Sequence, residues 1–197
     1  METLLSTPGR RPRIRYYVAQ SLDGYLAEVD QSIDWLTGYT GHPAAGEPLD
    51  GDFERFSAGV GAWVMGARTA EFLIGEGAPW APAGVPVWVL SHRDLPVPDG
   101  VRLSARPVPE LLREEVLPAA GEKDVWVVGG GPVAQAAADA GLLDTLEVTL
   151  VPVVLGAGVP LFSGRLERPF ALESVRPFDN GMVQLVYRVR PGAAGSR

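Results

Sequence analysis

DVWVVGGGPVAQAAADAG, residues 124–141, is the stretch from which the architecture of this chain can be read. Val125 to Val128 are apolar without interruption, the pattern of a strand covered on both faces and not of one with a wet side. Three glycines follow, then Pro132 at a position suited to the first turn of a helix, and the helical run stops at Gly141, a natural C-cap. A buried strand that turns through glycine into a helix belongs to a strand–helix–strand unit, and such units build parallel sheets. The same turn leaves backbone N–H groups and the positive helix end facing a space free of side chains, which suits a phosphate or pyrophosphate. A plain tight turn would use the same three glycines.

Outward from this stretch, short β-rich runs recur: IRYYVAQ from Ile14, AWVM from Ala62, VPVWVL from Val85, TLEVTLVPVV from Thr145, and two closing runs around FALESV and MVQLVYRV. Helical segments fall between the early ones, with Phe53 and Phe56 on one face of DFERFSA (52–58) and Pro109 opening PELLREEVL. Strand and helix therefore alternate up to residue 141, which predicts parallel pairing. From Thr145 onward strand follows strand across Gly-containing loops, which predicts antiparallel strands at the edge of a mixed sheet. The Gly/Pro-rich segments 38–51 and 75–86 are expected to be surface loops within one α/β domain spanning 13–190, with polar flexible ends at 1–12 and 191–197 outside it.

The chain has 197 residues, 46% hydrophobic and 21% charged, which is ordinary for a soluble globular domain and excludes disorder as the main state. Seventeen Lys and Arg against 24 Asp and Glu give a net charge of −7, so nothing electrostatic favours nucleic acid. The cluster Arg10, Arg11, Arg13 and Arg15 is assigned no binding role. There is no cysteine and there are only two histidines, His42 and His92, so thiolate chemistry is excluded and no metal centre is expected. No apolar window reaches membrane-spanning length, and the expectation is a cytoplasmic protein without membrane contact.

Four segments carry groups able to hold a ligand, and each follows a predicted strand. They are the Gly129-Gly130-Gly131-Pro132-Val133 turn; Asp23-Gly24-Tyr25 after the first strand; Gly66-Ala67-Arg68-Thr69; and Ser91-His92-Arg93. In a parallel sheet ligands collect beyond the carboxyl ends of strands, so one extended phosphate-bearing ligand accounts for all four at once. The run also satisfies G-x-G-x-x-A, but the acidic partner that dinucleotide fingerprint calls for would be Glu147, which lies inside a strand and not at its end.

YYVAQSLDGYLA (16–27), DWL (34–36), VMGARTAEF (64–72), VLSHR (89–93), the block from Val125 to Phe162 and VQLVYRV (183–189) together resemble the dihydrofolate reductase-like superfamily. They are most similar to the branch containing the riboflavin-pathway reductase domain of bifunctional deaminase-reductases. The resemblance covers about residues 14–190 in the family's order. It implies a three-layer α/β/α fold and an NADPH-dependent reductase, with NADH left open as the cofactor because Ala67 stands where many members have Arg. It places Ala19, Gln20, Asp23, Gly24 and Tyr25 at the nicotinamide and Gly129 to Val133 at the pyrophosphate. Gly66, Arg68, Thr69, Ser91, His92 and Arg93 would surround the diphosphate and 2′-phosphate. Folate reductases carry a carboxylate on the helix before the MG pair, where this chain offers Asp50, Asp52 and Glu54. Family members are frequently homodimers, and the apolar late strands offer an edge for a second copy.

The substrate, a small pterin-like or ribosylamino-pyrimidine-like heterocycle, is expected near Asp34, Trp35, Phe53, Phe56 and Thr149, none of which is assigned a catalytic role. Asp34 also fits a helix cap and Trp35 a core tryptophan. Two other readings compete: a non-catalytic nucleotide-binding or dimerisation module on the same fold, and a Rossmann dehydrogenase, which requires an all-parallel sheet.

Overall fold

The structure is a computed structural model describing residues 10–189, so residues 1–9 and 191–197 of the expected flexible ends, and Arg190 at the end of the expected domain, lie outside the described residues. Its strands are β1 (Ile14–Ser21), β2 (Tyr25–Ala27), β3 (Val60–Gly66), β4 (Val87–Leu90), β5 (Val101–Ser104), β6 (Asp124–Gly129), β7 (Leu143–Val151), β8 (Val159–Pro160), β9 (Phe170–Pro177) and β10 (Val183–Val189). The helices are α1 (Asp34–Thr37), α2 (Asp52–Ala58), α3 (Ala67–Gly75), α4 (Val108–Leu111), which runs through a π turn (Leu112–Val116) into α5 (Leu117–Ala120), and α6 (Gly131–Asp139).

Eight strands form one sheet in the order β5-β4-β3-β6-β1-β7-β10-β9, and β2 pairs with β8 in a separate two-stranded ribbon. The α/β class and the mixed, mostly parallel sheet agree with the sequence. One expectation is corrected: β7, which contains Thr145, runs parallel to β1, with Tyr17 opposite Glu147 and Ala19 opposite Thr149. The reason is that α6 acts as a crossover between β6 and β7, so the chain returns to the same end of the sheet before starting β7. The antiparallel pairing begins at β10, which lies against both β7 and β9.

The sheet separates two cores. On one face Ile14, Tyr16, Val64, Val125, Val127 and Val148 pack against α6 and the α4–α5 segment. Helix α6 presents Val133, Ala134, Ala137 and Ala138, all buried, at i, i+4 spacing, so the helix lies close to the sheet. On the other face Trp63, Met65, Val89 and Trp126 pack with Phe56 of α2 and Ala70 of α3, and a smaller cluster of Val151, Phe178 and Met182 takes in Ala19 and Trp35. A fully buried valine such as Val127 contributes on the order of 1.5–3 kcal/mol. Strand β1 divides the chambers, since successive side chains point to opposite faces.

The arginine cluster near the N-terminus is consumed internally. Arg10 and Arg15 pair with the buried Asp124 at 2.6 and 3.5 Å, Arg11 pairs with Asp144, and Arg15 grips Glu147 through Nε and Nη2 at 2.6 and 2.7 Å. Two consequences follow. Arg10 and Arg11, within the segment expected to be a flexible end, each reach a carboxylate of the domain. Glu147 is committed to Arg15, which together with the antiparallel β10 removes the Rossmann reading.

Candidate active site

Strands β4, β3, β6 and β1 are consecutive in the sheet and each pairs in parallel with the next, so their carboxyl ends share one edge of the sheet. Ser21, Gly66, Ser91 and Gly129 therefore line that edge in the arrangement the sequence suggested. The two glycine turns meet: a methyl group at Gly130 would lie 3.6 Å from the Gly66 nitrogen and 3.7 Å from its Cα. Gly130 has φ +93°, a conformation side chains resist. At Gly129 an added Cβ would come within 2.8 Å of the Thr69 hydroxyl, and at Gly131 within 3.1 Å of the Pro160 and Leu161 carbonyls. The floor of the edge is thus backbone, with the N-terminus of α6 opening onto it.

A second set of contacts fastens the loops around this floor. The Asp23 carboxylate accepts hydrogen bonds from Ser21 Oγ at 2.7 Å, Leu155 N at 3.1 Å and Gly156 N at 2.7 Å. The Ser21 bond is the largest of the effects that hold its carboxyl below the ordinary aspartate range; the two backbone donors add to it against desolvation. Leu22 N donates to Val153 O and Leu161 N to Gly24 O, while Tyr25 of β2 pairs with Pro160 of β8. The Asp23-Gly24-Tyr25 turn and the 153–161 loop form one clamped unit beside the glycine floor.

The cationic candidates stand at the rim. Arg68 is exposed and, among the described residues, makes no salt bridge. Arg93 is held by Glu71 at 2.8 Å, and the Ser91 hydroxyl is engaged locally, donating to the Arg93 carbonyl and accepting from its N–H. His92 is exposed. Gln20 points to the α6 side of β1, and its buried Oε1 has no hydrogen-bond partner among the described residues. A nicotinamide dinucleotide fits this edge: the glycine floor admits a pyrophosphate, Arg68 is available to a phosphate, and the Gln20 acceptor awaits an N–H such as a carboxamide supplies.

Across β1 the substrate candidates separate. Phe56 is buried, stacked on Tyr17 at 4.1 Å between centroids with the Arg15 guanidinium over its ring, so it is a core residue. Phe53, one turn earlier, is 42% exposed and leans on Trp126 at 5.5 Å. Thr149 is buried on β7 beside Ala19. Trp35 packs near Ala19 and Phe178, and its buried Nε1 lacks a partner among the described residues. Asp34 is exposed in the first turn of α1; its N–H is capped by Ser32 Oγ at 3.1 Å, so Asp34 itself is not the cap.

The centre of this face is Asp52. It is 4% exposed and accepts from Tyr17 OH at 3.0 Å, Gln184 Nε2 at 3.1 Å, Arg176 Nη1 at 2.8 Å and Arg55 Nη2 at 3.2 Å. Burial pushes its carboxyl up, but the bonds from Arg176 and Tyr17 outweigh burial and hold it below the ordinary value. Burial and the Asp52 charge raise the Tyr17 phenol, keeping it a donor. The resemblance to folate reductases pointed to an acid here without choosing among Asp50, Asp52 and Glu54. Arg176 and Gln184 carry no local signal, because they reach Asp52 from strands more than a hundred residues away.

An α/β sheet with a glycine-floored carboxyl edge beside a buried helix-borne carboxylate defines a dihydrofolate reductase-like protein. The chain belongs to the RibD C-terminal domain family, whose profile matches residues 12–184. It is 29% identical over 154 residues to the uncharacterized protein YwjB of Bacillus subtilis, covering 74% of this chain and 80% of that one. It is 28% identical over 173 residues to the riboflavin biosynthesis protein RibD of Corynebacterium ammoniagenes, covering 81% of this chain and 49% of that one; the chain spans about half of that relative. Among solved structures it is similar to a Shewanella sp. PV-4 protein named for riboflavin biosynthesis, with TM-score 0.72 and 29% identity over 91% of this chain and 99% of that one. It shares its fold with dihydrofolate reductase of Enterococcus faecalis, with TM-score 0.60 and 16% identity over 93% and 99% of the two chains. No helix among the described residues is long and apolar enough to cross a membrane.

Proposed function

We propose that this chain is an NADPH-dependent reductase that transfers hydride to a small nitrogen heterocycle, pterin-like or ribosylamino-pyrimidine-like. The observation carrying this reading is the meeting of the Gly66 and Gly130 turns at one sheet edge. Gln20 Oε1 on one side of β1 and Trp35 Nε1 on the other, both buried and without a partner among the described residues, support it as atoms a ligand could engage.

Bound at this edge, a reduced nicotinamide dinucleotide would supply the hydride. Gly129, Gly130 and Gly131 would hold the diphosphate through backbone, with Pro132, Val133, Gly66 and Thr69 alongside. Arg68, with Ser91, His92 and Arg93 at the rim, would meet the 2′-phosphate. Gln20 would accept from the carboxamide, with Ala19 next to it on β1. The clamp on Asp23 would keep the loop closed and water out, and Trp35 and Phe53 would flank a flat substrate. Positioning and desolvation are what a hydride transfer needs from the protein, and no nucleophile is required.

Titration of the pure protein with NADPH and NADH, followed by cofactor fluorescence, tests the reading. NADPH is expected to bind more tightly, and Arg68→Ala to weaken it about tenfold while leaving NADH unchanged. Binding of neither dinucleotide overturns the proposal. NADPH binding without oxidation across a panel of dihydropterins and aminopyrimidines would leave a nucleotide-binding module in its place.

A further inference from the structure

We propose that the cavity at the C-terminal end of α6 binds a free α-amino acid with an aliphatic side chain. Arg168 takes its carboxylate, Asp139 and Glu167 its ammonium, and Leu166, Phe170 and Val189 its side chain. This site lies at the opposite end of α6 from the glycine floor and does not depend on the reductase reading.

The cavity, about 250 Å³, lies between the end of α6, the segment 166–170 and the last residue of β10. At about 30 Å³ for each water-sized group it has room for about eight non-hydrogen atoms, the size of a small aliphatic amino acid. One side chain ties its walls together: Gln135 of α6 accepts from Gly164 N at 3.0 Å and donates to Asp139 Oδ1 at 3.0 Å.

Arg168 is the group in this cavity whose state calls for a ligand. The half-buried Arg13, Arg15, Arg106 and Arg176 each grip a carboxylate. Arg168 is half-buried as well, yet among the described residues it has neither an ion pair nor a hydrogen bond. It is not needed as a helix cap, because Gly141 N donates to Ala138 O at 2.9 Å and Leu142 N to Ala137 O at 2.8 Å, which satisfies the last turn of α6 from its own backbone. The guanidinium instead lies against Gly141, where a Cβ would come within 2.6 Å of Nη2 and 2.8 Å of Nη1. Gly141, at φ +69°, therefore both ends the helix and keeps a seat open for the cation.

A guanidinium presents its N–H donors as a fork that matches the two oxygens of a carboxylate. The surrounding charge disfavours a bare anion, since Asp139 and Glu167 line the same cavity, α6 ends there with the negative pole of its dipole, and the whole chain carries −7. A zwitterion satisfies both signs at once. Its carboxylate meets the fork, its ammonium meets the acids and the helix end, and an aliphatic side chain covers Leu166, Phe170 and Val189.

The probe is L-leucine, titrated calorimetrically into the full chain, and saturable binding with Kd of about 1 mM or below is expected. 4-Methylpentanoate, which lacks the ammonium, and isopentylamine, which lacks the carboxylate, are each expected to bind at least about tenfold more weakly. Arg168→Gln is expected to weaken leucine by at least about tenfold with the melting temperature unchanged. Backbone amide shifts on adding leucine should centre on Asp139, Gly141 and Glu167. No saturable binding up to about 20 mM, equal binding of either analogue, undiminished binding to Arg168→Gln, or shifts centred on Gly66 and Gly130 overturns the proposal. Arg168→Lys, which keeps the charge and loses the fork, is held to the same criterion if the glutamine variant does not fold.

Discussion

The carboxyl edge and the Asp52 face lie on either side of the same central strand and are built by opposite means. At the edge the work is done by backbone: Gly66, Gly129, Gly130 and Gly131 remove side chains so that two turns can touch. On the Asp52 face it is done by side chains, with Tyr17, Arg55, Arg176 and Gln184 converging on one buried carboxylate. The backbone floor depends on glycines that let neighbouring turns come into contact, whereas the carboxylate is already saturated with side-chain donors. Mutations should therefore affect binding at the edge and folding at the Asp52 face.

The largest effect is expected at the glycine floor. Gly130→Val forces a β-branched residue to φ +93° beside Gly66, and NADPH affinity should fall about a hundredfold, measured by fluorescence titration. An unchanged affinity would erase the contrast between the two regions.

Next comes Asp52→Asn, which leaves Arg176 without its buried counter-charge and sets an amide N–H against donors. Unfolding in urea should show a loss of about 2–4 kcal/mol with NADPH affinity preserved. Because the folded Asp52 carboxyl lies below its ordinary value, its contribution is complete above the unfolded pKa and disappears as pH falls through the folded one. The wild type should thus lose stability more steeply than the variant below about pH 4.

The smallest effect is expected from Asp23→Asn, which disturbs only the loop clamp. Amide hydrogen exchange at Leu155 and Gly156 should quicken by about tenfold while the global melting temperature holds. A global shift would mean that the loop is part of the core and not a fastening on the edge.

The same contrast explains what the sequence could say. The β6–α6 turn was legible because its glycines, Pro132 and the apolar run sit within ten residues. Helix α2 was legible from its first residue to its last because the 3.6-residue period shows in Phe53 and Phe56, although only packing could send Phe56 inward and leave Phe53 out. The direction of β7 was misread because strand order records adjacency, not the crossover that α6 supplies. β2, β5 and β8 are two to four residues long and leave no period to detect. Arg176 was invisible for a stronger reason: its role depends on β10 and β9 returning across the sheet to reach a helix 124 positions earlier.

Strand β1 carries Ala19 on one face and Gln20 on the other, and this alternation makes residues 14–20 the stretch least tolerant of insertion or deletion. Gaining or losing a single amino acid there would exchange the two chambers, turning the Gln20 side chain toward Trp35 and the Tyr17 phenol away from Asp52. Natural variants of this domain should accumulate length changes in the 38–51 and 75–86 loops and almost none between Ile14 and Gln20.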